Sequence, residues 1–324
     1  MRDAFIIEDA DAGARLDRLL FAKGYSLSRT AVQRAIAQGD ICLNGKICKP
    51  GCKVKAGDVV EGDVKLPVEL AARPQKIDLD IVYEDEHIIV INKRRGMVVH
   101  PAAGSVEGTL VNALLYRCPD ITGVGDRIRP GIVHRLDKDT TGLMVVAKNG
   151  RAHLNLARDI QRREVKRIYL ALVYGRPEDA RGIIDAPIGR HPTDRKKMAV
   201  RQDGRVASTG YRVLECHDGI SLVEATLMTG RTHQIRVHMA AIGHQVVGDP
   251  VYGPRRIPAA VKSPVVRHLI EELKGQALHA FRLSFRHPAT GAEMSFEAPL
   301  PPDTALLLDA LRAVPDEEVG EIGF

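Results

Sequence analysis

Four ionisable residues lie within five positions of one another in the middle of this chain: Arg135, Asp137, Lys138 and Asp139. They sit in the run 129–148, Arg-Pro-Gly-Ile-Val-His-Arg-Leu-Asp-Lys-Asp-Thr-Thr-Gly-Leu-Met-Val-Val-Ala-Lys. A short apolar strand at 132–133 is expected to lead into the polar stretch and a longer one at 142–147 to leave it. Charged groups on a loop between two core strands are held firmly yet stay reachable. Three chemistries fit. Asp137 and Asp139 could hold a hard cation such as Mg²⁺ through carboxylate oxygens; the four charges could be a structural ion-pair cluster; or one carboxylate could act as a nucleophile. The residues alone leave all three open. The tripeptide Arg-Leu-Asp also occurs at 15–17, where a charged turn on an amphipathic helix accounts for it, so the tripeptide by itself carries little weight.

Other reactive side chains are less promising. His233 and His238 are five positions apart and do not share a helix face well, which argues against a metal pair. His100 and His134 read as hydrogen-bonded loop or core residues. The five cysteines (42, 48, 52, 118 and 216) are odd in number and irregularly spaced; they fit small half-buried thiols in a reducing compartment, neither disulfides nor a zinc knuckle. No phosphate-binding glycine loop or dinucleotide fingerprint occurs, so no nucleotide cofactor is expected.

The chain has 324 residues and a net charge of +6. That length suits two domains, and the charge suits a polyanionic partner. Tryptophan is absent, so stacking of several bases on an aromatic platform is not expected. The apolar runs fall well short of the roughly 18 residues of a membrane span, and the first residues lack an apolar leader; a cytoplasmic monomer is the expectation.

The elements that must position these groups fall into two parts. Residues 13–65 read as a helical and hairpin module. Leu16, Leu19 and Leu20 share a helix face; a second helix over 30–38 repeats Val32, Ala35 and Ile36 and stops at Gly39. A hairpin follows, 41–43 and 46–48 around Asn44-Gly45. Six basic residues against the single acid Asp40 fall between Arg29 and Lys55. Residues 66–77 read as a linker. The larger part, 78–312, shows strands at 79–83, 88–92, 142–147, 167–173, 211–215, 221–227 and 278–285, and helices at 150–163, 232–242 and 303–311. Strands dominate without regular alternation, which gives an α+β fold around a mixed, mainly antiparallel sheet. Residues 313–324 read as a flexible acidic tail. Arg151, Arg158 and Arg162 make a basic stripe continued by Arg163, Lys166 and Arg167. That stripe, and the cluster Arg195, Lys196, Lys197, Arg201 and Arg205, are candidate nucleic-acid surfaces.

Three further segments follow the 129–148 run in order: 166–172 (Lys-Arg-Ile-Tyr-Leu-Ala-Leu), 229–238 (Thr-Gly-Arg-Thr-His-Gln-Ile-Arg-Val-His) and 248–253 (Gly-Asp-Pro-Val-Tyr-Gly). Together these segments closely resemble the motifs of the RNA pseudouridine synthases, isomerases that convert uridine to pseudouridine in ribosomal and transfer RNA. The module 13–65 resembles the S4 RNA-binding domain. The resemblance implies a base flipped from its stack, with Asp137 as the catalytic carboxylate, and a reaction that requires no metal, redox group or other cofactor. Tyr169 would stack on the target base and take part in proton removal. Arg231 would pair with Asp137, Ile235 would pack beneath the site, and Arg135 would enter the space the nucleotide leaves. In the S4 module it implies phosphate contacts from Ser28, Arg29, Arg34 and Lys53.

Breaking a glycosidic bond develops charge at the anomeric carbon, which a carboxylate can trap or stabilise. Such a carboxylate must be ionised, and an arginine beside it favours that form. Arg231 lies near a predicted helix N-terminus, where the dipole disfavours a cation; an anionic partner would explain it. The pieces 197–200 and 276–280 resemble the D subgroup of large-subunit rRNA synthases, implying a 23S rRNA stem-loop at the subunit interface, free or in an assembling large subunit. Three alternatives are another 23S site, as in the C subgroup; a ribosome-assembly factor; and a metal-dependent RNA hydrolase built on Asp137 and Asp139.

Overall fold

The Asn44-Gly45 turn sets the geometry of the first part of the chain. A two-residue hairpin turn needs left-handed backbone at both positions, and Asn44 (φ 51°) and Gly45 (φ 72°) adopt it. The computed structural model describes residues 3–23, 29–62, 72–101, 105–121, 124–126, 129–194 and 197–315, and the chain divides into two compact units, Met1–Ala72 and Arg73–Phe324.

In the first unit, strand β1 (Asp3–Ile6) is followed by helices α1 (Leu16–Ala22) and α2 (Arg29–Gln38) and strands β2 (Ile41–Leu43) and β3 (Val59–Gly62). The strands form an antiparallel sheet in the order β1-β3-β2. The return arm expected at 46–48 forms only a single bridge, Leu43 to Lys46; β2 takes β3 as its partner instead. Leu16, Leu19, Leu20, Val32 and Ile36 are buried together, the amphipathic faces the spacing predicts. Asp17 is fully buried and accepts from Arg15 Nε (3.0 Å) and Gln33 Nε2 (2.7 Å), tying α1 to α2. This copy of Arg-Leu-Asp is structural, as expected.

The second unit contains β4 (Asp80–Glu84), β5 (Ile88–Lys93), α3 (Leu110–Arg117), β6 (Gly125–Asp126), β7 (Arg129–Pro130), β8 (Thr141–Ala147), α4 (Gly150–Gln161), β9 (Lys166–Tyr174), β10 (Arg181–Asp185), β11 (Ile188–Arg190), β12 (Met198–Val200), β13 (Ser208–His217), β14 (Ile220–Leu227), α5 (Gln234–Ala241), α6 (Pro264–Glu272), β15 (Leu278–Arg286), β16 (Glu293–Glu297) and α7 (Pro302–Arg312). Its main sheet runs β10-β13-β14-β9-β15-β8-β5-β4, with β16 also on β15. Every pairing is antiparallel except β15 with β8, so the sheet is mixed and mainly antiparallel. All seven residues of β8 are buried, which explains the unbroken apolar run at its centre.

Several expectations need correcting. Residues 132–133 form no strand; Ile132 makes one bridge to Val146. The helix expected from 232 begins at Gln234, because His233 takes a left-handed turn at φ 57°. Helices α3 and α6, strand β16 and the β10–β12 region lie in segments where no element was expected. The capping box of Thr109 with Asn112 and the Ser263 cap before Pro264 are the local signals that start the two helices. Residues 73–77, expected as linker, are pinned to α3: Asn112 donates to the Arg73 carbonyl at 2.8 Å and Gln75 N–H to the Asn112 carbonyl at 3.0 Å. Ser28, Arg195, Lys196, residues 66–71 and most of the tail (316–324) lie outside the described residues.

Candidate active site

Asp137 lies in the turn that feeds β8, and the turn is fixed through its backbone. The buried Lys93, at the end of β5, donates through Nζ to the carbonyls of Lys138 (2.9 Å), Met97 (2.9 Å) and Arg94 (3.1 Å). Arg95 Nη1 donates to the Asp139 carbonyl at 3.1 Å, and Gln276 Nε2 to Thr140 Oγ1 at 3.0 Å. Val145 N–H donates to His134 Nε2 at 3.1 Å. At the start of β8, Gly142 has φ 109°, and a Cβ there would lie 2.4 Å from the Ala280 carbonyl oxygen; only glycine permits the close parallel approach to β15. The carboxylate is thus carried by a loop tied to three neighbouring segments.

Its partner is Arg236. The Nη1 of Arg236 donates to Asp137 Oδ2 at 2.9 Å, while Nε and Nη2 grip Asp249 in a two-point pair at 2.7 and 2.8 Å. Asp249 Oδ1 also accepts the N–H groups of Val251 (2.9 Å) and Tyr252 (3.0 Å). Burial works against the Arg236 charge, but the Asp249 and Asp137 carboxylates outweigh it and raise its pKa above the usual arginine value. Arg236 also lies over the Tyr252 ring, 5.0 Å from its centroid. A guanidinium can bridge two carboxylates in this way because its donors are fixed in a planar fork.

Arg231 does not take the expected place. Its Nε donates to the Val206 carbonyl at 3.0 Å and the residue is exposed, although it lines the same cleft as Asp137. The reason is helical geometry. The Thr229-Gly230-Arg231 stretch is an irregular loop braced by Gln234, whose Oε1 accepts from Thr229 Oγ1 (2.7 Å) and Arg231 N–H (2.9 Å). Arg236 is in the first turns of α5, whose residues 234–239 are all buried. The buried cation, Arg236, is therefore the partner of Asp137, and the sequence signal for it is Asp249 in the Gly248-Asp249-Pro250 motif that follows.

His233, set aside above as a metal ligand, stands instead beside Asp137. Its left-handed backbone is uncommon outside glycine and marks a constrained position. Its Nε2 lies 3.9 Å from Asp137 Oδ1 and its Nδ1 2.8 Å from the Tyr252 hydroxyl. Met198 N–H donates to that hydroxyl (2.8 Å), so Tyr252 ties His233 to the β12 strand. Burial lowers the His233 pKa, which favours the neutral ring.

Tyr169 from β9 and Ile235 from α5, both buried, line the cleft with Asp137, as do Leu136, Leu227 and Leu278. Arg135 stands exposed at its edge. Burial pushes the Tyr169 phenol up to about 12. The structure thus brings together Asp137, Tyr169, Ile235, Arg135 and Arg231, with only the Arg231 pairing displaced. A carboxylate held by a buried arginine, with Tyr169, Ile235 and three leucines on the wall beside it, suits chemistry on a flat, uncharged ring. Among the described residues no group of three or more acidic, histidine or cysteine side chains is placed to hold a metal ion, and no helix is long and apolar enough to cross a membrane.

The family model for RNA pseudouridylate synthase matches residues 87–241, a span that contains Asp137, Tyr169, Arg231, Ile235 and Arg236. An S4 domain model matches residues 14–60. The chain is 50% identical over 311 residues to ribosomal large subunit pseudouridine synthase D of Pseudomonas aeruginosa, covering 95% of both chains. This chain belongs to the RNA pseudouridine synthase family. It is therefore an isomerase that acts on RNA. The protein of the same description from Escherichia coli K12 is 45% identical over 319 residues, 98% of this chain and 97% of its own. In the solved structure of human RNA pseudouridylate synthase domain containing 4, the shared fold has a TM-score of 0.56 at 26% identity, over 72% of this chain and 93% of that one. The human domain containing 1 structure gives 0.53 at 29% identity, over 77% and 98%. In this synthase the first unit carries the S4 match, and its candidate contacts Arg34 and Lys53 are exposed; Arg29 begins α2.

Proposed function

We propose that this synthase converts uridine to pseudouridine in 23S rRNA, acting on a stem-loop at the subunit interface through Asp137, with the target base turned out of its stack. The observation that carries the proposal is the 2.9 Å contact of Arg236 with Asp137 in a cleft walled by Tyr169 and Ile235. The choice of large-subunit rRNA follows the relatives named for it, which match this chain along nearly its whole length at 45–50% identity.

The reaction breaks the bond from the sugar to N1 of uracil and forms one to C5, releasing the C5 proton. Asp137, held by Arg236, meets the charge that develops at the anomeric carbon. Tyr169 and Ile235 enclose the ring, so the detached base turns without escaping to water. At a pKa of about 12 the Tyr169 hydroxyl keeps its proton at neutral pH, which supports stacking as its main role. Arg135 fills the space the nucleotide leaves. Arg231, freed of the carboxylate, sits at the rim, where an exposed cation meets backbone phosphate. The S4 unit binds the surrounding RNA fold through Ser28, Arg29, Arg34 and Lys53, contacts that position without reading sequence. An rRNA substrate, free or in an assembling large subunit, is consistent with a cytoplasmic enzyme, and we take it to act as a monomer.

The test is tritium release from large-subunit rRNA carrying [5-³H]uridine, transcribed without modification, with and without EDTA. Release without loss of chain length, unchanged by EDTA, supports the proposal. RNA shortened only when metal is present would favour the hydrolase reading instead.

A further inference from the structure

The cleft continues past Arg135 and Arg231, which line both spaces, into a cavity of about 460 Å³. By that measure a single water needs roughly 10–15 Å³, so there is room for a larger polar ligand. Five arginines line it: Arg129, Arg135, Arg163, Arg167 and Arg231. Asp137 is the one carboxylate on its wall among the described residues, and Arg236 already meets that charge.

Arg167 differs from the others. It is only 8% exposed, and its side chain has no hydrogen-bond or ion-pair partner among the described residues. Its Nε is a buried nitrogen with nothing to donate to. Gly230 packs closely on the head group: a Cβ there would stand 3.1 Å from Nη1, so a side chain at that position would crowd the guanidinium. A buried, unpaired cation is costly, and arginine cannot escape the cost by losing its proton. Among the described residues no carboxylate pairs with it, and an anion brought in by a ligand would offset its charge. Arg167 and Tyr169 are two apart on β9 and so project from the same face, about 7 Å from one another along the strand. Tyr169 lines the base cleft and Arg167 the cavity beside it.

We infer that this cavity binds a backbone phosphate of the RNA strand adjacent to the target uridine, with the Arg167 fork as its central ligand. The inference rests on the proposed function, since it takes the base cleft to be the one around Asp137. A phosphate offers several oxygens to a planar fork, and it would give the orphaned Arg167 Nε an acceptor. Arg167 is on this account a substrate-positioning residue, remote from the bonds that change.

The test compares wild type with Arg167→Met and Arg167→Lys in three measurements: tritium release, binding of the same RNA over a salt series, and thermal unfolding. For Arg167→Met, KM should rise between roughly tenfold and a hundredfold, as expected for loss of a hydrogen bond to a charged group, with kcat within about twofold. The slope of log affinity against log salt should become shallower by about one. The melting temperature should hold or rise, because an unpaired buried charge has gone; a structural arginine would lower it. Arg167→Lys should recover part of the KM. In RNA with a single neutral methylphosphonate linkage, one position beside the target should weaken wild type but not Arg167→Met. Wild-type KM and salt slope in Arg167→Met would overturn the inference, as would a lowered melting temperature with no linkage-specific effect. If wild type binds the RNA but releases no tritium, the proposed reaction fails, and the salt slope of Arg167→Met still decides the phosphate contact.

Discussion

Arg236 Nη1 lies 2.9 Å from Asp137 Oδ2, and the same guanidinium is held from behind by Asp249. The cation that serves the reacting carboxylate is thus part of a buried triad, with side chains 14%, 5% and 0% exposed for Asp137, Arg236 and Asp249. Arg231, five residues earlier, is free to face the cleft mouth. The two arginines should therefore respond very differently to substitution. Arg236→Gln leaves two carboxylates without their counter-charge and should cost about 3–5 kcal/mol of stability, with kcat down by about 10²–10³. Arg231→Gln should stay within about 0.5 kcal/mol of wild type and act mainly on KM. Urea unfolding alongside tritium release separates the two; a wild-type Arg236→Gln would contradict the triad's role.

Lys93 acts at a distance, through the backbone of the Asp137 turn. Burial lowers its pKa to about 7, against the pull of Asp139 and Asp137. Lys93→Met keeps the volume but removes three donors to carbonyls. Loss of the buried charge offsets part of that cost, so the fold should survive. The loop should lose its setting, and misplacement by about 1 Å can cost about a hundredfold in rate. The expected outcome is a lower kcat with KM near wild type, measured by single-turnover release. A raised KM with unchanged kcat would show that the lysine serves binding and not loop geometry.

His134 provides a pH signature. Burial, with the nearby Arg167 charge, pulls its pKa to about 3 from a usual 6.5, and its Nε2 can accept from Val145 only while the ring is neutral. The unfolded chain takes up a proton below pH 6.5 that the folded chain refuses. Stability from this group is therefore complete above 6.5 and falls as the pH drops toward 3. By pH 4 the loss should be on the order of 3 kcal/mol. His134→Gln, which retains an acceptor but cannot titrate, should lose less over that interval in urea unfolding. Parallel pH profiles for the two proteins would contradict this assignment.

For the S4 unit, exchanging Arg34 and Lys53 together for glutamine should weaken RNA binding uniformly across sequences and reduce the salt slope by about two, leaving kcat unchanged. Anisotropy titrations from 50 to 300 mM salt would show it, and an unchanged slope would remove both residues from the interface.

Much of this was legible before any coordinates. The Asn44-Gly45 turn, the Leu16, Leu19, Leu20 face and the buried 142–147 strand follow from local periodicity, because one side of each element meets a core. The tripeptide Arg-Leu-Asp was correctly split: Asp17 is a structural tie between helices, while Asp137 faces the cleft. Arg236 takes the place expected of Arg231 beside Asp137, because chain order does not say which of two cations in one motif turns inward. That depends on His233 breaking the helix and on Asp249 arriving from 13 residues downstream of Arg236. Helices α3 and α6 are short, and their starts are marked by caps, Thr109 with Asn112 and Ser263 before Pro264, more than by apolar periodicity. The anchoring role of Lys93 was likewise out of reach, since its acceptors include a carbonyl 45 residues away.

The central claim is that Asp137 is the reacting carboxylate, and Asp137→Asn tests it most directly. The amide keeps the size and can still accept from Arg236 Nη1, so the fold and RNA affinity should stay near wild type. Tritium release from [5-³H]uridine-labelled 23S rRNA should fall to background. Release at the wild-type rate from a folded Asp137→Asn protein would contradict the mechanism.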